Sequence, residues 1–346
     1  MYNKDMAKLR VAVNGFGRIG RLFFRQAFGR EDMEIVALND LGDAENLAYL
    51  LRYDTVYGRY DKEVRHDPAA GALIVDGTPV KFLQVKDPSA LPWKDMDIDV
   101  AVESTGFFES FEQAKAHLAA GAKRVVITAP AKDEDGPAGR TILMGVNDDQ
   151  IAACPVTSNG SCTTNSASPV IQALSENPGI VKAILSTVHS YTATQSIVDG
   201  PVRGRDYRRG RAAAQNISPS TTGAAVAVTR AIPELKGKFD GMAFRVPSIV
   251  GSISDITFVA KRPTSVEEIN KILSDAAASP RWQGILKVTN DQIVSRDIVG
   301  ERYGAIVDLG FTKVVDGDLV KVLSWYDNEA GYVATLVKHV AALAGK

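Results

Sequence analysis

Asn14-Gly15-Phe16-Gly17-Arg18-Ile19-Gly20 sets three glycines at G-x-G-x-x-G spacing between an apolar run, Leu9–Val13, and a helical stretch, Arg21–Phe28. That strand–turn–helix constrains the chain more than any other segment. Glu34–Leu38 reads as the next strand, then Ile98–Glu103, a helix over Phe111–Ala120, and strands over Arg124–Thr128 and Thr141–Val146. Strand–helix alternation of this kind predicts a parallel sheet with helices on both faces.

Beyond about residue 160 the texture changes. Ile180–Tyr191, Gly251–Ala260 and Ala305–Trp325 read as longer strands, and Asp316-Gly317 between apolar runs is a hairpin signal. A mostly antiparallel second sheet is expected. Glu329–Ala344 reads as a last helix with Val333, Leu336, Val337, Val340 and Leu343 on one face. A length of 346 residues fits two domains. With 45% hydrophobic and 23% charged residues, the chain is neither disordered, collagen-like nor a disulfide scaffold. Forty Lys and Arg against 41 Asp and Glu give no global attraction to nucleic acid or membrane. No segment approaches the ~20 apolar residues of a bilayer span, and Met1–Arg10 lacks the apolar core of a secretory signal. Only Cys154 and Cys162 occur, so a reducing cytoplasm is the expected location.

Each glycine of the turn has a mechanical role. Gly15 permits the tight turn, Gly17 lets a pyrophosphate approach the backbone, and Gly20 lets the helix pack on the strand. The helix N-terminus offers free N–H groups to phosphates. Asp40 follows Gly20 by twenty residues and ends the second strand, where a carboxylate receives a ribose diol and repels a 2′-phosphate. NAD is the cofactor this spacing predicts.

Ser161-Cys162-Thr163-Thr164-Asn165 precedes a helical stretch towards Leu174, which puts Cys162 at a helix N-terminus, where the dipole favours a thiolate. Cys154 has no such placement and reads as a small buried hydrophobe. Among four histidines, His66 reads as loop surface, while His117 and His339 fall on helices. His189 ends an apolar strand inside a Ser/Thr cluster, Ser186-Thr-Val-His-Ser-Tyr-Thr192, as expected of a site wall. It is the candidate base.

These segments, with Gly241-Met-Ala-Phe-Arg-Val-Pro247 and Trp325-Tyr-Asp-Asn-Glu329, occur in the order seen in the phosphorylating glyceraldehyde-3-phosphate dehydrogenases, which nearly the whole chain resembles. The resemblance implies an α/β fold with a Rossmann domain over residues 1–161, closed by the C-terminal helix 329–346. An α+β catalytic domain over 162–328 would carry the mostly antiparallel sheet. It implies a cytoplasmic homotetramer that uses NAD, glyceraldehyde 3-phosphate and inorganic phosphate in glycolysis or gluconeogenesis. Cys162 would be the nucleophile and His189 the acid–base, with a thioester formed on Cys162 and cleaved by phosphate to an acyl phosphate. The cofactor contacts implied are Gly15, Phe16, Gly17, Arg18, Ile19, Gly20, Asp40, Thr128 and Asn328. Thr192, Arg209 and Arg245 would hold the substrate phosphate, and Ser161, Thr163, Thr222 and Gly223 the inorganic one. No metal is implied.

The chain departs from the family pattern at Ser166, often a second cysteine, at Gly136–Arg140, which resembles a small surface-loop insertion, and at Ser248-Ile-Val-Gly251. Erythrose-4-phosphate dehydrogenase, with the same Cys and His, is the alternative within the enzymes. A non-catalytic nucleotide- or RNA-binding protein is the alternative outside them. The run Arg203-Gly-Arg205-Asp-Tyr-Arg208-Arg209-Gly-Arg211 is the only basic patch that suggests RNA, and the resemblance reads it as an inter-subunit loop.

Overall fold

The computed structural model describes residues 8–202 and 204–345; Met1–Ala7, Arg203 of the arginine run and Lys346 lie outside the described residues. The chain divides into two compact units. One comprises the chain up to Ile142, Asn147–Gly160 and the end from Leu336; the other comprises Leu143–Val146 and Ser161–Thr335.

The first unit contains β1 (Leu9–Asn14), α1 (Arg18–Ala27), β2 (Met33–Asn39), α2 (Ala44–Arg52), β3 (Tyr53–Asp54), β4 (Gly58–Arg59), β5 (Val64–Asp67), β6 (Ala72–Val75) and β7 (Thr78–Leu83). It continues with β8 (Val100–Glu103), α3 (Phe111–Ala114), α4 (Ala116–Ala119), β9 (Arg124–Ile127), β10 (Arg140–Thr141) and β11 (Val156–Ser158). Nine of these strands form one sheet in the order β10-β11-β9-β8-β1-β2-β7-β6-β5. Pairing is parallel from β10 to β7 and antiparallel through β6 and β5. Val11, Ala12 and Val13 are all fully buried, so β1 is covered on both faces, which explains its unbroken apolar run. Phe111 and Ala114 of α3 pack on Val125, Ile127 and Val156 of the sheet. The connections change direction beside β1, with β2 on one side and β8 on the other. A crevice opens at the carboxyl ends of strands at such a point.

Several local expectations need correction. The first helix starts at Arg18, which makes Gly17 its N-cap. The helix expected over Phe111–Ala120 is two short turns interrupted at Lys115. Only Arg140–Thr141 of the strand expected near Thr141–Val146 pairs with a neighbour. After Ile142 the chain turns, with Val146 N–H donating to Leu143 O at 3.0 Å. β5, β6 and β7 were not anticipated, and His66 lies on β5 opposite Leu73, not in a loop. The Gly136–Arg140 insertion is also not simply surface. Gly139 is buried so tightly that a Cβ would come within 2.3 Å of the Phe111 ring, and the Cys154 thiol donates to Gly136 O at 3.3 Å.

The second unit contains α5 (Cys162–Glu176), β12 (Ile180–Ser190), β13 (Ser218–Thr221), α6 (Ala224–Ala231), β14 (Phe239–Val246), β15 (Ser252–Ala260), α7 (Val266–Ala278), β16 (Leu286–Thr289), β17 (Ala305–Val315) and β18 (Leu319–Tyr326). Its seven strands are ordered β13-β14-β12-β15-β18-β17-β16. The pairs β12–β14 and β16–β17 are parallel and the other four antiparallel, with the β17–β18 hairpin closing at Asp316-Gly317. Helices α5, α6 and α7 bury one face through a core that includes Val170, Leu174, Val228, Leu273, Ile256 and Val322. The other face carries Ile184, Val188 and Met242, each 40–49% exposed. The last helix, α8 (Ala330–Ala341), passes from the second unit into the first at Leu336. Its His339 is hydrogen-bonded to Thr157 Oγ1 at 2.9 Å and Asn159 Oδ1 at 3.1 Å, at the end of β11.

Candidate active site

In the first unit a cavity of about 480 Å³ lies at the carboxyl ends of β1, β2, β7 and β8, lined among others by Gly15, Gly17, Asp40, Lys86, Thr105 and Phe107. Gly15 has φ +93°, and a Cβ there would sit 2.6 Å from the Ser104 backbone. A Cβ on Gly20 would meet Gly15 O at 2.1 Å, so any side chain would lift α1 off the turn. At Gly17 a Cβ would meet nothing within 4 Å; its open side is cavity. Asp40 does more than face that space. Its Oδ2 accepts from Phe16 N–H at 2.6 Å and its Oδ1 from Gly42 N–H at 2.8 Å, fastening the glycine turn to the end of β2.

Not every expected cofactor residue meets the cavity. The Arg18 side chain pairs with Asp54 at 3.0 Å, while Phe16 is fully buried and stacks edge-on against Phe24. Thr128 follows β9, its N–H bonded to Glu103 O at 3.0 Å, and like Phe16, Arg18, Ile19 and Gly20 it is not in the lining. Sequence reading missed the buried carboxylate behind the floor. Glu103 accepts from Asn14 Nδ2 at 2.6 Å, Thr105 N–H at 2.8 Å, the Thr105 hydroxyl and His117 Nε2–H at 2.9 Å. The Trp93 indole N–H can only donate, so its 3.0 Å bond to His117 Nδ1 sets that tautomer. An open Gly17, the N-terminal end of α1 and a carboxylate at the β2 end fit a dinucleotide.

In the second unit Cys162 is the first residue of α5. A capping box holds it there, with Thr164 N–H donating to Ser161 Oγ at 3.0 Å and Ser161 N–H to Thr164 Oγ1 at 3.1 Å. His189 ends β12 on the same face as buried Leu185 and Thr187, and Cys162 Sγ lies 3.3 Å from its Nε2. The β12–β14 register sets Arg245 directly beside His189. Arg245 Nη1 is 2.7 Å from His189 Nδ1, while both groups reach Ser190 O, at 3.1 and 2.6 Å. Placing the proton on Nδ1 lets both donate to that carbonyl and leaves the Nε2 lone pair facing the sulfur.

Burial, then the Arg245 charge, pushes His189 down to about 3, so the imidazole is neutral. The helix head acts on Cys162 in the expected direction, as does Arg245, but burial outweighs both and pushes the thiol up. At 3.3 Å, Nε2 is placed to take the thiol proton as the sulfur reacts.

The Arg245 Nε is buried and has no hydrogen-bond partner among the described residues. Thr192 joins Arg209 through Thr194, whose Oγ1 is 3.0 Å from the Thr192 hydroxyl and 2.9 Å from Arg209 Nη1. Arg209 also holds Asp206 and Ser220, both missed from sequence because they matter only through this folded loop. Thr222 and Gly223 stand at the head of α6, where Ala224 N–H bonds Thr222 Oγ1. Thr163 is buried and its hydroxyl is 2.9 Å from Tyr326 Oη, which also reaches Thr187. Asn328 is buried and bonded to Ser190. The Ser/Thr cluster around His189 was the signal for Ser190.

Among the described residues no cluster could hold a metal ion, and no helix is long and apolar enough to cross a membrane. Residues 9–111 match the family model for the glyceraldehyde 3-phosphate dehydrogenase NAD binding domain, and residues 161–328 that for the C-terminal domain of the same enzymes. Curated relatives named glyceraldehyde-3-phosphate dehydrogenase include that of Mycobacterium avium, 48% identical over 98% of this chain and 99% of its own. Those of Streptomyces coelicolor (47%, over 95% and 96%) and Geobacillus stearothermophilus (47%, over 98% and 99%) are similar. A nucleotide crevice and a paired Cys and His, in a chain matched from end to end, lead to one conclusion: the chain belongs to the glyceraldehyde-3-phosphate dehydrogenase family, NAD-dependent oxidoreductases.

Proposed function

We propose that the chain oxidises glyceraldehyde 3-phosphate to 1,3-bisphosphoglycerate with NAD and inorganic phosphate through a Cys162 thioester. The observation that carries this reading is the 3.3 Å approach of Cys162 Sγ to a neutral His189 Nε2 at the capped head of α5. The sulfur adds to the aldehyde carbon while its proton passes to Nε2 and on to the oxygen, giving a hemithioacetal. The Cys162 backbone N–H steadies that oxygen. Nε2 then removes the hydroxyl proton as the C–H bond breaks. When bound, NAD supplies the ring that accepts the hydride. A phosphate oxygen attacks the thioester carbonyl, the sulfur leaves, and the acyl phosphate is released.

Thr192, Arg209 and Arg245 are the substrate-phosphate ligands of this proposal, supported by the unpartnered Arg245 Nε. Ser161, Thr163, Thr222 and Gly223 are assigned to inorganic phosphate. Thr163 serves through its backbone, since its hydroxyl is occupied. Gly15 to Gly20, Asp40, Thr128 and Asn328 are assigned to NAD; Arg18 and Ile19 act there through backbone N–H groups, and Phe16 through the turn that its N–H fastens to Asp40. Residues 1–161 with helix 329–346 form the cofactor half of this reading and 162–328 the catalytic half. A cytoplasmic homotetramer belongs to it as well, since the exposed apolar sheet face of Ile184, Val188 and Met242 calls for a second copy. The test is NADH formation from glyceraldehyde 3-phosphate with and without phosphate. Phosphate-dependent turnover is expected; equal turnover without phosphate would favour the hydrolytic, erythrose 4-phosphate reading.

A further inference from the structure

Behind the first unit's cavity runs a hydrogen-bond chain whose polarity is fixed at both ends. Val85 N–H donates to Asn39 Oδ1 at 2.8 Å and Val85 O accepts from Asn39 Nδ2 at 2.9 Å, so that amide has one orientation. The same Nδ2 donates to Asn14 Oδ1 at 2.7 Å, which turns the Asn14 Nδ2 onto Glu103 Oε2 at 2.6 Å. From the other end the Trp93 indole, a donor only, occupies His117 Nδ1 and turns Nε2–H onto the same oxygen. Glu103 is where the two directions meet. Its Oε1 accepts two more donors, the N–H and the hydroxyl of Thr105. Glu103, His117 and Trp93 are at most 2% exposed, whereas Asn14, Asn39, Ser104 and Thr105 line the cavity. The hydroxyl hydrogens of this wall are spent on the interior. Thr105 Oγ1 keeps one lone pair, the other being taken by Phe107 N–H at 3.1 Å, and the Ser104 hydroxyl donates backwards to Gly15 O at 2.6 Å.

We infer that Glu103, held by His117, is a positioning residue that turns the Thr105 hydroxyl oxygen-outward. This wall of the crevice then selects a dinucleotide by an O–H or N–H of its adenosine half and refuses a phosphate or carbonyl oxygen there. The inference rests on the reading of this cavity as the NAD site. Leu41 and Phe107, 60% and 69% exposed, give the cavity apolar flanks for a base beside Asp40. In Glu103→Gln the amide oxygen must stay opposite Asn14 Nδ2 and His117 Nε2–H, both donors, so the new NH2 faces Thr105. The Thr105 hydroxyl then accepts from within, and its hydrogen swings towards the cavity. One buried oxygen sets the polarity of a surface it does not reach.

Calorimetry on the full chain with three ligands reads that polarity: NAD; NADP, in which a ribose hydroxyl carries a phosphate; and the hypoxanthine analogue of NAD, in which a carbonyl replaces the base amine. Glu103→Gln should narrow one preference for NAD about tenfold, one hydrogen bond's worth. The ratio to NADP narrows if the ligand's donor is the ribose hydroxyl, and the ratio to the analogue if it is the amine. Equal loss of all three ligands, with both ratios unchanged, would mean that Glu103 only braces the fold and would overturn the inference. Should that variant not fold, Thr105→Val removes the outward oxygen alone; it should narrow one of the two ratios, and Thr105→Ser should restore it. Unchanged ratios in Thr105→Val would refute the inference. Asp40→Ala separates it from the reading beneath. If that variant weakens NAD while Thr105→Val alters no ratio, the cavity holds the cofactor and the inference falls; if neither variant alters NAD binding, the cavity is not the cofactor site and both fall.

Discussion

Replacing Asp40 should cost the protein more than its cofactor preference. The carboxylate accepts from Phe16 N–H at 2.6 Å and Gly42 N–H at 2.8 Å before any ligand arrives. A hydrogen bond to a charged group contributes about 1.5–3 kcal/mol, and Asp40 is half-buried, so the lower end applies: about 3 kcal/mol for the two. Asp40→Ala removes both bonds and loosens the glycine turn, so NAD should weaken at least about tenfold and thermal stability should drop. NADP should not gain. Asp40→Asn separates charge from fastening, because its one oxygen still accepts from one of the two N–H groups. A 2′-phosphate carries about two charges, each facing the carboxylate at about 1 kcal/mol for ~4 Å in high dielectric. The Asn variant should therefore narrow the NAD-over-NADP preference by roughly 30-fold. Titration calorimetry with both dinucleotides, alongside a thermal scan, reads all of these. If Asp40→Ala kept the parent stability and NAD affinity while bringing NADP to parity, the two backbone bonds would be idle and the reasoning wrong.

Cys162→Ala should abolish NADH formation and thiol labelling, whereas Cys154→Ala, whose buried sulfur serves only Gly136 O, should leave both nearly intact; a more reactive Cys154 in peptide mapping would reverse the assignment. His189→Asn should slow single-turnover hydride transfer by roughly 10²–10⁴ and leave NAD binding alone, so an unchanged rate would remove it from the mechanism. Stability should fall in acid. Burial holds His189 and His339 near 3 in the folded chain against 6.5 unfolded, so the unfolded state takes up more protons as pH drops. Stability is full above 6.5 and declines below it, by about 2 kcal/mol per histidine between pH 6.5 and 5. Urea unfolding at both pH values should show it, and His339→Gln should flatten the slope; an unaltered slope would mean that His339 titrates normally.

The sequence was most legible where function depends on neighbours in the chain. The glycine turn, the start of α5 at Cys162 and the Asp316-Gly317 hairpin are local patterns, and each folds as its spacing implied. β5 and β7 escaped notice because they are short and partly polar, and β7 begins Thr78-Pro79-Val80 with a residue that rarely enters a sheet; β6 is apolar throughout but only four residues long. Contacts set by folding alone were illegible. His117 meets Glu103 across 14 residues, but Asn14 meets Glu103 across 89, and Asn328 meets Ser190 across 138. At Cys162 the helix dipole is visible in sequence, whereas the burial that opposes it is a property of the packed site.

The three glycines of the turn also differ in how mutation can reach them. A side chain at Gly15 or Gly20 collides with backbone, so drift there is stopped by failure to fold. At Gly17, where the backbone is ordinary helix-cap geometry with φ −69° and a Cβ meets nothing, the chain tolerates alanine as a folded protein. What alanine fills is the space left for phosphate. A copy of this gene released from selection for catalysis would lose its cofactor first at Gly17, keeping a stable scaffold in which the thiol site survives intact and free to be used otherwise.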